Sequence, residues 1–134
     1  MATRRLVDLH LHSAYSSDGQ YPPAELVRMA EEKGLAAVAL TDHDDVGGLP
    51  EFMAAGAASP VETIPGVELT CDLGRRWVHI LGYFIDWEAE AIAGAIMRNN
   101  TIIIPPDDTT IQPGDHVIIV SPPAITPAVE KLFM

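Results

Sequence analysis

The first residues that could do chemistry are two histidines near the start of the chain. His10 and His12 lie one residue apart in the segment DLHLH, and residues two apart in a strand point to the same face. Two neighbouring imidazoles are good ligands for a borderline divalent metal ion. An isolated pair of this kind is about equally well explained as polar residues at the end of a strand.

Further candidate ligands come from the segments that follow. Asp18 lies in a Ser-Asp-Gly turn, His43 lies in the polar stretch TDHDD that follows the apolar run AVAL, and Glu68 and His79 lie in two later strand candidates. Taken one at a time, these residues also fit a turn, a solvated acidic loop or a core histidine. Active sites of parallel barrels gather at the carboxyl ends of the strands. We therefore expect six side chains to converge on a site for more than one divalent ion: His10, His12, Asp18, His43, Glu68 and His79.

Alternating strands and helices must position these side chains. The strands and helices are assigned from three signals: apolar periodicity, prolines in the first turns of helices, and Gly34 at the end of a helix. The predicted strands are Arg5–Leu11, Leu35–Thr41, Ile64–Thr70 and Trp77–Phe84, and the predicted helices are Pro22–Lys33 and Leu49–Ala58. The order βαβαββ indicates an α/β fold built from βαβ units with right-handed crossovers.

The last third of the chain has a different texture and predicts a small β-rich segment. Strands are expected at Ile92–Arg98, Thr101–Ile104 and His116–Val120, with a type II turn at Pro113-Gly114 and a closing helix over Pro127–Phe133. We expect two domains, residues 1–88 and residues 89–134. Asp115 is interpreted as a turn residue and His116 as a strand-surface residue.

Composition excludes several classes of protein. The chain has 134 residues and a net charge of −11, so it offers no general basic surface, and long nucleic acids are not expected partners. No apolar run is long enough to span a bilayer, and the amino terminus lacks the apolar core of a secretory signal. A single cysteine, Cys71, excludes an internal disulfide. These features favour a cytoplasmic protein without membrane insertion.

Residues 5–86 resemble the amino-terminal half of a PHP (polymerase and histidinol phosphatase) domain. The matching motifs are DLHLHSAYSSDG, PPAELVRMAEEKGLAAVALTDHDDVGG, IPGVELT and VHILGYF, in that order. The resemblance implies a distorted seven-stranded β/α barrel with two or three metal ions, here zinc, manganese or iron. It also implies hydrolysis of a small phosphorylated substrate by a metal-activated water.

The resemblance also assigns roles to the candidate ligands. It implies His10 and His12 on one ion, Glu68 as a bridge to a second ion near His79, and Asp18 and His43 on a third. We expect Asp8 and Asp42 to orient the ligand imidazoles without binding the metal ions themselves. The family uses about nine ligands, whereas this chain supplies six, because nothing after residue 86 matches the later ones. The sequence identifies no general acid, so no catalytic residue is assigned.

Residues 92–134 resemble the last half of a TrkA-type carboxyl-terminal domain, through IAGAIMRNNTIIIPPDDTTIQPGDHVIIV and the closing KLF. Domains of that family bind small ligands and dimerise. The resemblance supports a homo-oligomer, in which the partner could complete the metal shells. It also supports a rival function, a regulatory or ligand-binding and dimerisation module or a non-catalytic chimera.

Overall fold

The computed structural model describes residues 5–72, 76–88, 92–99, 101–103 and 109–120. The elements in chain order are β1 (Val7–Leu11), α1 (Pro23–Glu32), β2 (Ala37–Leu40), α2 (Leu49–Gly56), β3 (Glu62–Asp72), β4 (Trp77–Tyr83), β5 (Ile92–Arg98), β6 (Thr101–Ile103) and β7 (His116–Val120). The α/β class, the order βαβαββ and the β-rich segment that follows are confirmed. The helix expected at Pro127–Phe133 lies outside the described residues.

The first sheet is mixed, with the strand order β1-β2-β3-β4. The strands β1, β2 and β3 are parallel, and β4 is antiparallel to β3. The strand β3 is longer than predicted, because residues 62–65 pair with β2 and residues 66–72 pair with β4. The sheet is curled, so that the hydroxyl of Tyr83 on β4 donates a hydrogen bond of 2.8 Å to the carbonyl of Leu9 on β1.

The helix α1 shows why sequence signals placed it correctly. Pro22 and Pro23 occupy its start, where a proline costs no hydrogen bond, and Glu25 lies in its first turn. It ends in a Schellman arrangement: the amides of Gly34 and Leu35 donate to the carbonyls of Glu31 and Ala30. Gly34 has φ +68°, a conformation that other residues rarely adopt. Among the described residues, no helix is long and apolar enough to cross a membrane.

The hydrophobic core lies between the two helices and the first sheet. The whole of β2 is buried, as expected for a strand covered on both faces. Phe52 of α2 is fully buried and packs with Val27 and Ala30 of α1 and with Leu40. Burial of one such aromatic side chain contributes about 1.5–3 kcal/mol. This core holds rigid the end of β2 from which His43 follows.

The second sheet has the order β6-β5-β7 and is antiparallel. The predicted hairpin is confirmed, since Arg98 pairs with Thr101 and Asn99 has φ +49°. The predicted type II turn also forms: the amide of Asp115 donates to the carbonyl of Gln112 at 3.0 Å, and Gly114 has φ +90°. As expected, Asp115 closes the turn and His116 is exposed.

Candidate metal centre

Four strands and the loops after them bring all six predicted side chains into one cluster. The cluster consists of His10, His12, Asp18, His43, Glu68 and His79. His10 lies on β1, and His12 and Asp18 lie in the loop after it, while His43 follows β2. Glu68 is in the middle of β3 rather than at its end, and His79 is on β4. Glu68 is paired with the His43 backbone on one side and with β4 on the other.

Glu68 is the centre of this cluster. Its side chain is 4% exposed, whereas those of His10 and His79 are 48% and 46% exposed. One carboxylate oxygen, Oε2, lies 2.7 Å from Nε2 of His10, 3.1 Å from Nε2 of His12 and 3.7 Å from Nε2 of His43. The other oxygen, Oε1, lies 2.7 Å from Nδ1 of His79. The two oxygens therefore face different imidazoles, which is the arrangement required of a carboxylate that bridges two ions.

The nitrogen and oxygen atoms form three overlapping groups, each with ligand atoms within 4.8 Å of one another. The groups are His10–His12–Glu68, His12–Asp18–His43 and His43–Glu68–His79. Imidazole and carboxylate donors suit zinc, manganese and iron. The donor set therefore fits the divalent ions that the sequence predicts, and successive imidazole rings lie with centroids only 4.7–4.9 Å apart.

The protonation of Glu68 reflects two opposing effects. Burial raises the pKa of its carboxyl, but the hydrogen bond from His10 and the positive charges of His43, His10 and His79 outweigh burial. The net result is that the pKa of Glu68 lies below its ordinary value. The carboxylate is therefore ionised near neutral pH, which is the form that binds a metal ion.

A tight turn carries Asp18 back over the end of β1. A side-chain carbon on Gly19 would lie 1.7 Å from the carbonyl oxygen of Ser13, so only glycine permits this approach. Asp18 then places Oδ1 3.6 Å from Nδ1 of His12 and Oδ2 3.4 Å from Nε2 of His43. The turn completes the second ligand group from an exposed position.

The two carboxylates expected to orient imidazoles have other partners. Asp42 is buried and accepts hydrogen bonds from the amide and the hydroxyl of Ser13, at 2.6 and 2.7 Å. Asp8 accepts from the backbone amide of His10 at 3.2 Å. Both carboxylates thus fix the backbone beside ligand residues instead of contacting an imidazole. No hydrogen bond joins either carboxylate to an imidazole among the described residues, and their role in orienting imidazoles stays a prediction.

Sequence reasoning missed three residues that support the cluster. Ser13 is fully buried on Asp42, and Ser16 contacts both His12 and His43. Asp44 has φ +52° and accepts a hydrogen bond from the amide of Thr70 at 2.7 Å. Serine and aspartate are common in any polar turn, so these three residues could be recognised only after folding brings the two loops together.

Cys71 of β3 and Trp77 of β4 lie outside the cluster and differ in burial. Cys71 is buried beside Val67 and Leu69 and its thiol contacts the Leu69 carbonyl. Burial, together with the negative charge of Asp44, raises the pKa of the Cys71 thiol. Trp77, by contrast, is 70% exposed and is not a core residue.

Comparison with known proteins gives two family matches. The model of the PHP domain matches residues 8–104, and the model of the TrkA-C domain matches residues 85–134. The predicted combination of a PHP segment and a TrkA-type segment is confirmed. The PHP match extends beyond residue 86 and includes β5 and β6. The two matches share residues 85–104, so the boundary near residue 88 remains a prediction.

Individual relatives agree with the PHP match. The chain is 42% identical over 90 residues to a 3',5'-nucleoside bisphosphate phosphatase of Chromobacterium violaceum, covering 67% of this chain and 31% of the relative. It is 40% identical over 79 residues to a 5'-3' exoribonuclease of Haemophilus influenzae, covering 59% of this chain and 28% of the relative. The chain thus spans about 30% of the length of these relatives.

A solved structure shares the fold. A protein of Bifidobacterium adolescentis assigned as a metal-dependent phosphoesterase superposes with a TM-score of 0.56 at 32% identity, over 60% of this chain and 28% of that one. The family match covers most of the chain and includes the whole cluster of six side chains. The chain therefore belongs to the PHP domain family.

Proposed function

We propose that this chain is a phosphoesterase module that binds divalent zinc, manganese or iron through the cluster around Glu68. The observation that carries the proposal is the position of Glu68, whose two buried carboxylate oxygens face three imidazoles on one side and one on the other. His10 and His12 would hold one ion with Glu68. His79 would hold a second with Glu68, and Asp18 and His43 a third.

Bound divalent ions supply two things at such a site: a lower pKa for a water molecule and positive charge that offsets the developing charge on phosphate oxygens. The residues of this chain supply the geometry. Ionised Glu68 keeps the imidazoles of His10, His12 and His79 turned inwards. Asp42 and Ser13 tie the loop after β1 to the end of β2, so that ligands from both segments keep a fixed separation.

The substrate class is proposed from exposure and charge. His10, His79 and Asp18 form the exposed rim of the cluster, at 48%, 46% and 54% exposure, and leave it open to a small ligand. The net charge of −11 opposes the approach of a long polyanion. A small phosphorylated compound, such as a phosphomonoester or a short nucleotide, fits both features.

The test is hydrolysis by the purified chain, loaded with manganese or zinc, of p-nitrophenyl phosphate and bis-p-nitrophenyl phosphate. We expect slow turnover that stops on addition of EDTA and returns with added metal. The matched pair Glu68→Gln and Glu62→Gln lies on one strand, and Glu62 is exposed. Only Glu68→Gln should abolish turnover, because Glu62 contacts no member of the cluster.

A chain that binds metal and hydrolyses neither phosphoester would contradict the proposal of catalysis while leaving the metal site intact. That result would favour the rival function, a ligand-binding and dimerisation module, which the TrkA-C match of residues 85–134 supports. We also propose a homo-oligomer, since six ligands are few for three ions and a partner could add more. Sedimentation at micromolar concentration tests this, and a stable monomer would contradict it.

A further inference from the structure

The imidazole of His12 belongs to two candidate ligand groups at once. Its Nε2 lies 3.1 Å from Glu68 Oε2, in the group with His10, and its Nδ1 lies 3.6 Å from Asp18 Oδ1, in the group with His43. A neutral imidazole has one lone pair for a metal ion, and its other nitrogen carries a hydrogen that needs an acceptor. The neighbours of His12 must therefore decide which group it serves.

The hydroxyl of Ser16 contacts one of the two ring nitrogens of His12. Its Oγ is 3.3 Å from Nδ1 of His12, which is within hydrogen-bond distance, whereas Asp18 Oδ1 is farther away. The same Oγ accepts a hydrogen bond of 2.7 Å from the backbone amide of His43. A serine oxygen has two lone pairs, so it can accept from the His43 amide and from Nδ1–H together.

Ser16 is itself held rigidly. It is 5% exposed, its amide donates to the carbonyl of Ser13 at 2.9 Å, and its carbonyl accepts from Gly19 at 3.1 Å. The position of its hydroxyl is therefore set by the turn and not by the imidazole. A fixed partner of this kind selects the orientation and tautomer of a ligand histidine.

We propose that Ser16 is the positioning residue that assigns His12 to the ion shared with His10 and Glu68. With metal bound, Nδ1–H donates to Ser16 Oγ and the Nε2 lone pair faces that ion. Without metal, the serine hydroxyl donates to Nδ1, and Nε2–H faces Glu68 Oε2. Because the His43 amide uses the same oxygen, Ser16 also links the two ligand groups. This inference rests on the proposed metal site.

The experiment compares Ser16→Ala with Ser17→Ala, a neighbouring serine that is exposed. Ring ¹⁵N chemical shifts of His12 are measured in the metal-free protein and during a zinc titration, and zinc affinity is measured by calorimetry. In Ser16→Ala we expect shifted His12 ring signals without metal, and zinc affinity lower by about 10–100-fold, as for loss of a partner behind a ligand. Ser17→Ala should match the parent in both.

A second pair isolates the hydroxyl from the shape of the side chain. Threonine and valine have the same shape but only threonine has a hydroxyl, so Ser16→Thr should keep the parent's tautomer of His12 and Ser16→Val should lose it. This pair tests the hydroxyl even if Ser16→Ala impairs folding. Unchanged His12 ring signals in both Ser16→Ala and Ser16→Val would overturn the proposal. A parent that takes up no zinc would instead contradict the metal site, while the metal-free spectra would still test the contact between Ser16 and His12.

Discussion

Glu68 in the first sheet and Asp115 in the second both have carboxylate side chains that are almost inaccessible, at 4% and 1% exposure, but they differ in the partners that surround them. Asp115 receives two hydrogen bonds from the guanidinium of Arg98, at 2.8 and 2.6 Å, and one from the amide of Gln112 at 2.8 Å. Glu68 instead faces four imidazoles from three separate segments. An arginine stays charged and offers no lone pair, whereas an imidazole can exchange a proton for a metal ion.

The comparison teaches that burial of a carboxylate alone does not indicate a functional site. The guanidinium of Arg98 donates to both oxygens of Asp115, and the Gln112 amide closes a turn on one of them, so the carboxylate is neutralised within the second sheet. The imidazoles of His10 and His79 stay about half exposed, and each can bind a further atom. The partners of the carboxylate, and not its depth, separate a structural ion pair from a candidate metal centre.

The largest expected effect comes from removing the negative charge in the first sheet. Glu68→Gln should lower zinc affinity by more than about 100-fold, the upper end of what loss of an outer partner costs, because Glu68 belongs to two of the three ligand groups. Asp115→Asn, the matched change in the second sheet, should leave zinc binding unchanged. Calorimetry on both variants tests the comparison, and equal losses of affinity would break it.

The next effect concerns stability of the first region. Asp42→Ala removes the acceptor of two buried hydrogen bonds from Ser13, and bonds to a charged group contribute about 1.5–3 kcal/mol each. We expect the free energy of unfolding to fall by about 3 kcal/mol and the melting temperature by about 10 °C. Asp45→Ala, which removes a single exposed bond to the amide of Gly47, serves as the control. Equal melting temperatures in the two variants would contradict the importance of the buried contact.

Two glycine-to-alanine changes, one beside the candidate metal centre and one in the turn before β7, sharpen the comparison between the two regions. Gly114→Ala should cost only about 1 kcal/mol, because the turn requires a positive φ but no atom lies within 4 Å of the added carbon. Gly19→Ala should cost more, since the added carbon would collide with the Ser13 carbonyl. Only Gly19→Ala should also weaken zinc binding, through displacement of Asp18. Denaturant unfolding and a zinc titration of both variants provide the measurement.

The smallest expected effect is the stabilisation of the second sheet by ionised Asp115, which changes only at acid pH. The hydrogen bonds from Arg98 and Gln112 lower the pKa of Asp115 from 3.8 to about 2. Because the folded pKa is below the unfolded one, the stabilisation is complete above about pH 4 and is lost as pH falls through 2. The protection factors of amides in β5 and β7, which correct hydrogen exchange for its intrinsic pH dependence, should therefore fall over this window in the parent. In Asp115→Asn the same window should show no such dependence.

Much of the fold follows from local signals in the sequence. Prolines at the start of α1, Gly34 after it, and the turn at Pro113-Gly114 each specify a backbone conformation by themselves. The length of β3 could not be predicted in this way. Glu68 looks like the end of a strand until β4 pairs with residues 66–72, and that pairing depends on a partner from elsewhere in the chain.

The candidate site also contains some residues that the sequence could identify and others that it could not. The six ligand candidates could be named because histidines and carboxylates lie within apolar strands or directly after them, a pattern that carries its own signal. Ser13 and Ser16 could not, because a serine in a polar loop carries no such signal until two loops are brought together. The hydrogen bonds that Asp8 and Asp42 accept from backbone amides could not be predicted for the same reason, since those donors are placed by the folded backbone.

The order of the ligand residues along the chain has a consequence for synthesis. Every member of the cluster lies between residues 10 and 79, and the carboxylate–imidazole contact between His10 and Glu68 spans 58 positions. A nascent chain that has emerged from the ribosome through β4 already contains the complete set. Since domains fold from the amino terminus during translation, the proposed metal site can form before the second sheet is complete.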